Sequence, residues 1–70
     1  MGLVQRNFIR IIEEKELKKK GVAKRAGMTQ QAISDIIAGR KVIRADMIPA
    51  LAYSVGVPIE ELFEEAKTAS

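Results

Sequence analysis

The side chains able to do chemistry in this sequence are amides and charged groups. Their kinds exclude more than they allow. The chain has 70 residues, with no cysteine and no histidine. Disulfides, thiolate or imidazole metal ligation and Cys- or His-based catalysis are therefore out of reach. No nucleophile–base set and no phosphate-cradling glycine loop is visible, so the chain is not expected to be an enzyme, and no cofactor or small-molecule ligand is expected. Glu60, Glu61, Glu64 and Glu65 lie close in sequence, but they lack convergent partners and read as the solvent face of a helix rather than a metal site. What remains is a pair of adjacent amides, Gln30 and Gln31, a nearby acid, Asp35, and two groups of cations. The first group is Lys18-Lys19-Lys20; the second is Arg40, Lys41 and Arg44. A glutamine amide donates and accepts hydrogen bonds at once, while ammonium and guanidinium groups only donate and so suit anions.

The charge is unevenly placed. Residues 1–44 hold 11 Lys/Arg against 4 Asp/Glu, whereas residues 45–70 hold 1 against 5. A net charge of only +3 thus hides a strongly basic first part, which suggests a polyanion as its partner. The plainer alternative is a solvated surface with uneven charge, and charge alone does not choose between them. No apolar run approaches the roughly 18 residues needed to span a bilayer. The first residues are too polar for a secretory signal, and Arg6 stands where an N-myristoylation pattern wants Ser or Thr. A cytoplasmic protein with no membrane partner is expected.

Short helices must position these groups. Phe8, Ile11 and Ile12 fall at i, i+3, i+4 spacing and predict an amphipathic helix over about 4–16. A second helix is predicted over 18–26, with Val22 and Ala23 inward and Gly27 as its stop. Thr29 is a good N-cap for a third over 29–38, because its hydroxyl can accept the free N–H of Gln31 or Ala32. Ile33, Ile36 and Ile37 supply the inward face of that helix, which forces Gln31 and Asp35 outward. After Gly39, residues 40–44 read as a loop. Pro49 cannot sit deep in a helix, so the fourth helix should start near Asp46 or Met47, with Asp46 as cap, and run to Val55 before Gly56. Pro58 should open the last helix at its first position, with Ile59, Leu62 and Phe63 as its apolar face and Glu60 and Glu61 near the favourable end of its dipole. Residues 1–66 are expected to form one domain, with 67–70 a frayed tail. There are no strand patterns and no repeats. The fold class expected is all-α, a compact five-helix bundle containing a helix-turn-helix.

Residues 17–57 carry the most specific pattern. Two helices meet at Ala26-Gly27-Met28, a tight corner in which Ala23 is small enough for the next helix to cross it. The run Thr29-Gln30-Gln31-Ala32-Ile33-Ser34-Asp35-Ile36 follows, then Leu51-Ala52 and the Gly56-Val57 stop. Over about residues 8–63 the chain resembles the lambdoid phage repressor and Cro family, the Xre-like helix-turn-helix domains. The resemblance implies a transcriptional regulator, a dimeric repressor reading the major groove of a palindromic operator in double-stranded DNA. Residues 29–38 become the recognition helix, with base contacts from Gln30, Gln31 and Asp35. Phosphate contacts fall to Lys18, Lys19, Thr29, Arg40, Lys41 and Arg44. The homodimer contact is expected around 55–58 and the start of the last helix.

The chain also departs from the family. Lys18-Lys19 stand where members often have Thr-Gln or Asn-Gln, which removes a cap and a base-reading amide and favours phosphate binding there. Asp35 could accept from a cytosine amine or bond Gln31 one turn back. Many members pair an Arg late in the first helix with a Glu late in the recognition helix; Ile12 and Ile37 stand there instead and are predicted to pack together, buried. An alternative function on the same fold is a protein-interaction module, such as an antitoxin or a bridging adaptor, because fold alone does not separate the two.

Overall fold

The computed structural model describes residues 2–65. Five helices run in the order α1 Leu3–Glu14, α2 Lys19–Ala26, α3 Gln30–Ala38, α4 Ile48–Val55 and α5 Ile59–Leu62, with a 3-10 turn, Ala45–Met47, leading into α4. The fold is the expected all-α bundle, and no strand occurs among the described residues. The expected tail at 67–70 lies outside them.

Each helix contributes its periodic apolar positions to one core. Phe8 and Ile11 from α1, Val22 from α2, Ile33 and Ile36 from α3, Leu51 from α4 and Leu62 from α5 are buried almost completely. Burying a side chain of this size is worth about 1.5–3 kcal/mol, so these few contacts dominate the stability of so small a domain. α2 lies at the centre of the arrangement, packed on both α3 and α4, while α1 closes the bundle against α4, α5 and α3. Ile12 joins the core as predicted, but Ile37 is only half-buried at its margin. α3 ends one residue after Ile37.

The helix ends explain most differences from the sequence reading. α1 stops at Glu14 because Glu16 adopts a left-handed backbone, φ 54°. Its N–H bonds Glu13 O at 3.2 Å and the Leu17 N–H bonds Ile12 O at 3.0 Å. The same paired bonds close α2 at Gly27, where the Met28 N–H reaches Ala23 O at 2.9 Å. A β-carbon at Gly27 would meet no atom within 4 Å; its φ of +70°, not crowding, is what requires glycine. At the other end of the chain, Pro58 is the extended N-cap of α5 rather than its first helical residue. Asp46 does not cap α4. It lies inside the 3-10 turn and pairs with Arg44 instead. Of the three apolar residues assigned to the last helix only Leu62 enters the core, whereas Ile59 and Phe63 remain exposed.

Polar side chains also tie the helices together where the sequence shows no pattern. Asn7 is buried, and its Nδ2 donates to the carbonyls of Leu62 and Glu64, both at 2.8 Å. Lys15 Nζ donates to Val55 O at 3.0 Å, and Arg25 Nε to Ser54 O at 2.8 Å. The last two carbonyls belong to the final turn of α4, where helix geometry leaves acceptors free and the dipole favours cations.

Candidate nucleic-acid interface

The geometry of α3 separates its two faces. Ile33 and Ile36 are buried on one side, while Gln30 and Gln31 are exposed at its amino end. Thr29, extended at φ −78° and ψ 156°, holds that end open: its Oγ1 accepts the Ala32 N–H at 3.0 Å. The hydroxyl hydrogen stays free to donate, which a phosphate oxygen could accept.

Asp35 sits one turn along the same exposed face. Its Oδ1 accepts from Gln31 Nε2 at 3.0 Å, the local partner that the sequence had offered it. The same oxygen accepts from Arg40 Nε at 2.9 Å, and Arg40 Nη2 lies at 2.9 Å from it. Hydrogen bonds from Gln31 first and Arg40 second hold the Asp35 carboxyl below the usual aspartate range. Sequence reading missed the Arg40 contact. It depends on Gly39, whose left-handed backbone turns the chain back so that the Arg40 and Lys41 N–H groups both bond Asp35 O, at 2.8 and 3.2 Å.

The remaining cations are arranged differently. Lys18 is the N-cap of α2, with no side-chain cap on the helix, as expected where a capping residue has been replaced. Lys18, Lys19 and Lys20 are exposed there around free backbone N–H groups, a combination that attracts anions. Lys41 is exposed, and Arg44 pairs with Asp46 through two contacts of 3.3 Å. That pair is open to solvent on both sides, so a competing anion can displace it at little cost. The structure thus joins Gln31, Asp35 and Arg40 into one bonded group, whereas Lys18, Lys19, Gln30 and Lys41 have side chains without hydrogen bonds or ion pairs among the described residues. There is no group of His, Cys, Asp or Glu placed to hold a metal among the described residues, and no described helix is long and apolar enough to cross a membrane.

A model of the helix-turn-helix family matches residues 9–62, most of the chain and all of the corner between α2 and α3. This chain belongs to the Xre and lambda-repressor-like helix-turn-helix family. No curated protein and no solved structure matches the sequence. As a helix-turn-helix protein it is a DNA-binding regulator. In helix-turn-helix domains the second helix of the pair enters the major groove, and here that helix is α3.

Proposed function

We propose that the chain is a sequence-specific transcriptional repressor that binds double-stranded DNA as a homodimer, one α3 in each half of a palindromic operator. The observation that carries this reading is the division of α3: its isoleucines lock it to the core while Thr29, Gln30 and Gln31 leave its amino end polar, exposed and rigidly capped. Gln30 and Gln31 read base edges, since a glutamine amide matches the N6/N7 edge of adenine. Lys18, Lys19, Thr29, Lys41 and Arg44 grip flanking phosphates, which fix register without reading sequence. Arg40 starts from a different place, bonded to Asp35. Residues 1–66 form the DNA-binding domain, which works in the cytoplasm and without catalytic chemistry.

One recognition helix reads too few base pairs for useful specificity, so two should lie about 34 Å apart, one DNA turn. Val57, Pro58 and Ile59 supply the dimer contact on this reading: Pro58 and Ile59 are exposed and Val57 half-buried, while Val55 is already used by the core. Selection of bound sequences from a random duplex pool tests both points. A palindromic motif with half-sites one turn apart is expected. Log affinity should fall with log salt at a slope near −0.9 for each phosphate neutralised, over about four to five contacts per protomer. A salt-independent affinity, or a pool that stays random, overturns the reading.

A second reading is supported by a separate surface. Leu3, Val4, Val42, Ile43 and Phe63 line a shallow apolar groove, and Val42 is 77% exposed. An exposed apolar patch of this kind suits a protein partner, as in an antitoxin or bridging adaptor. On that reading selection returns no motif, and Val42→Ser with Phe63→Ser abolishes partner binding without unfolding the domain.

A further inference from the structure

Arg40 belongs by sequence to the loop after α3, but its guanidinium does not stay there. The turn at Gly39 brings the Arg40 backbone over the end of α3, and the side chain folds back along the helix. Nε and Nη2 both reach Asp35 Oδ1, the oxygen that also accepts from Gln31. The guanidinium therefore stands on the exposed face of α3, about one turn from the Gln31 amide.

We infer that Arg40 is a specificity-determining residue that reads a guanine in the major groove, and that Asp35 is the residue that positions it; the inference rests on α3 being the recognition helix. Arginine has five N–H donors in a fixed fork. Asp35 accepts the Nε hydrogen, with Nη2 close to the same oxygen, which leaves both Nη1 hydrogens and at least one Nη2 hydrogen without a partner among the described residues. Donors so arranged match O6 and N7 of guanine, an edge that carries acceptors only. A carboxylate alone would repel that edge. Paired with Arg40, its charge is offset and it orders the fork in advance, which reduces the entropy lost on contact. A phosphate grip needs no such ordering, and the exposed Lys18 and Lys19 have no such side-chain partner among the described residues. Gln31, with one amide hydrogen on Asp35, keeps its oxygen and its second hydrogen for the adenine edge. One helical turn rises 5.4 Å and base pairs are spaced about 3.4 Å apart. The guanine should thus lie about one to two base pairs from the base read by Gln31.

The test combines selection from a random duplex pool with affinity measured at several salt concentrations, for the wild type, Arg40→Ala and Asp35→Asn. Both side chains lie at the surface, and thermal melts should show all three proteins folded. The wild type is expected to select an adenine and a guanine about one to two base pairs apart. Arg40→Ala should lose the guanine preference and about tenfold in affinity for the selected site, with random DNA little affected. Asp35→Asn should loosen the guanine preference, yet bind random duplex more tightly, with a salt slope steeper by about 0.9, because the freed guanidinium can then reach a phosphate. If Arg40→Ala instead weakens selected and random DNA equally, flattens the slope by about 0.9 and keeps the guanine, Arg40 is a phosphate contact. That result overturns the inference while the reading of α3 stands. A wild type that selects no motif overturns both.

Discussion

At the scale of single residues, the proposed function assigns two kinds of contact, base reading to the exposed face of α3 and phosphate binding to the start of α2. Gln31→Ala should cost about 1–3 kcal/mol on the preferred site and little on random DNA, whereas Lys19→Ala should weaken both by similar factors, because phosphates carry no sequence. Fluorescence anisotropy on a selected and a scrambled duplex checks the pair, and equal losses for Gln31→Ala would remove α3 as the source of specificity. Asp35 has its own test. Its carboxyl is held below the usual range by Gln31 and Arg40, so the bonded group is complete above that range and is lost as pH falls through the lowered value. The carboxyl resonance of Asp35 should titrate below that of aspartate in an unfolded peptide, and Arg40→Ala should move its midpoint upward. Periodicity was enough to place Gln31 and Asp35 outward, because two buried isoleucines fix the face. It could not place Arg40, whose position depends on a backbone reversal at Gly39 and on a five-residue separation that no helical repeat anticipates.

At the scale of elements, the helices were legible through their apolar spacing, and their ends only where glycine marks them. Gly27, Gly39 and Gly56 announce the stops of α2, α3 and α4, but α1 ends through Glu16, a residue that gives no such sign. A left-handed backbone costs a non-glycine residue about 1–2 kcal/mol. Glu16→Gly should therefore stabilise the domain by about 1 kcal/mol, once the greater freedom of glycine in the unfolded chain is set against the relief. Gly21 presents the opposite case. It sits inside α2, where a β-carbon would meet Arg25 Nη1 at 3.6 Å, an ordinary contact. Gly21→Ala should add up to about 1 kcal/mol. In a domain of this size each kcal/mol is worth roughly 4–8 °C in melting temperature, so calorimetry resolves both; no rise for Glu16→Gly would mean that the turn is held without strain. The cap assigned to Asp46 failed for a related reason. A short acidic residue before a helix resembles a cap in sequence, but here a 3-10 turn intervenes and Arg44 takes the carboxylate.

At the scale of the whole molecule, the order of the helices and the core could be anticipated, and the polar fastenings between them could not. Asn7 is one polar residue of α1 among several, and its partners are carbonyls far away in the chain, which any residue would offer. Asn7→Ala leaves those carbonyls without their donor and should cost about 1–3 kcal/mol, a large share of what a domain this small possesses. Chemical denaturation should show an earlier midpoint with the same slope; an unchanged midpoint would mean that water replaces the amide. The same fastening has a consequence for how the protein comes into being. The α1 helix leaves the ribosome before the other four, yet the carbonyls that Asn7 needs and the Leu62 side chain that packs the core are made more than fifty residues later. The nascent domain therefore carries its apolar face unprotected through almost the whole of its synthesis, and closes only as α5 emerges. A product terminated before Leu62 should be a substrate for proteases rather than a weakened DNA-binding domain, as pulse proteolysis of the truncated and complete chains would show.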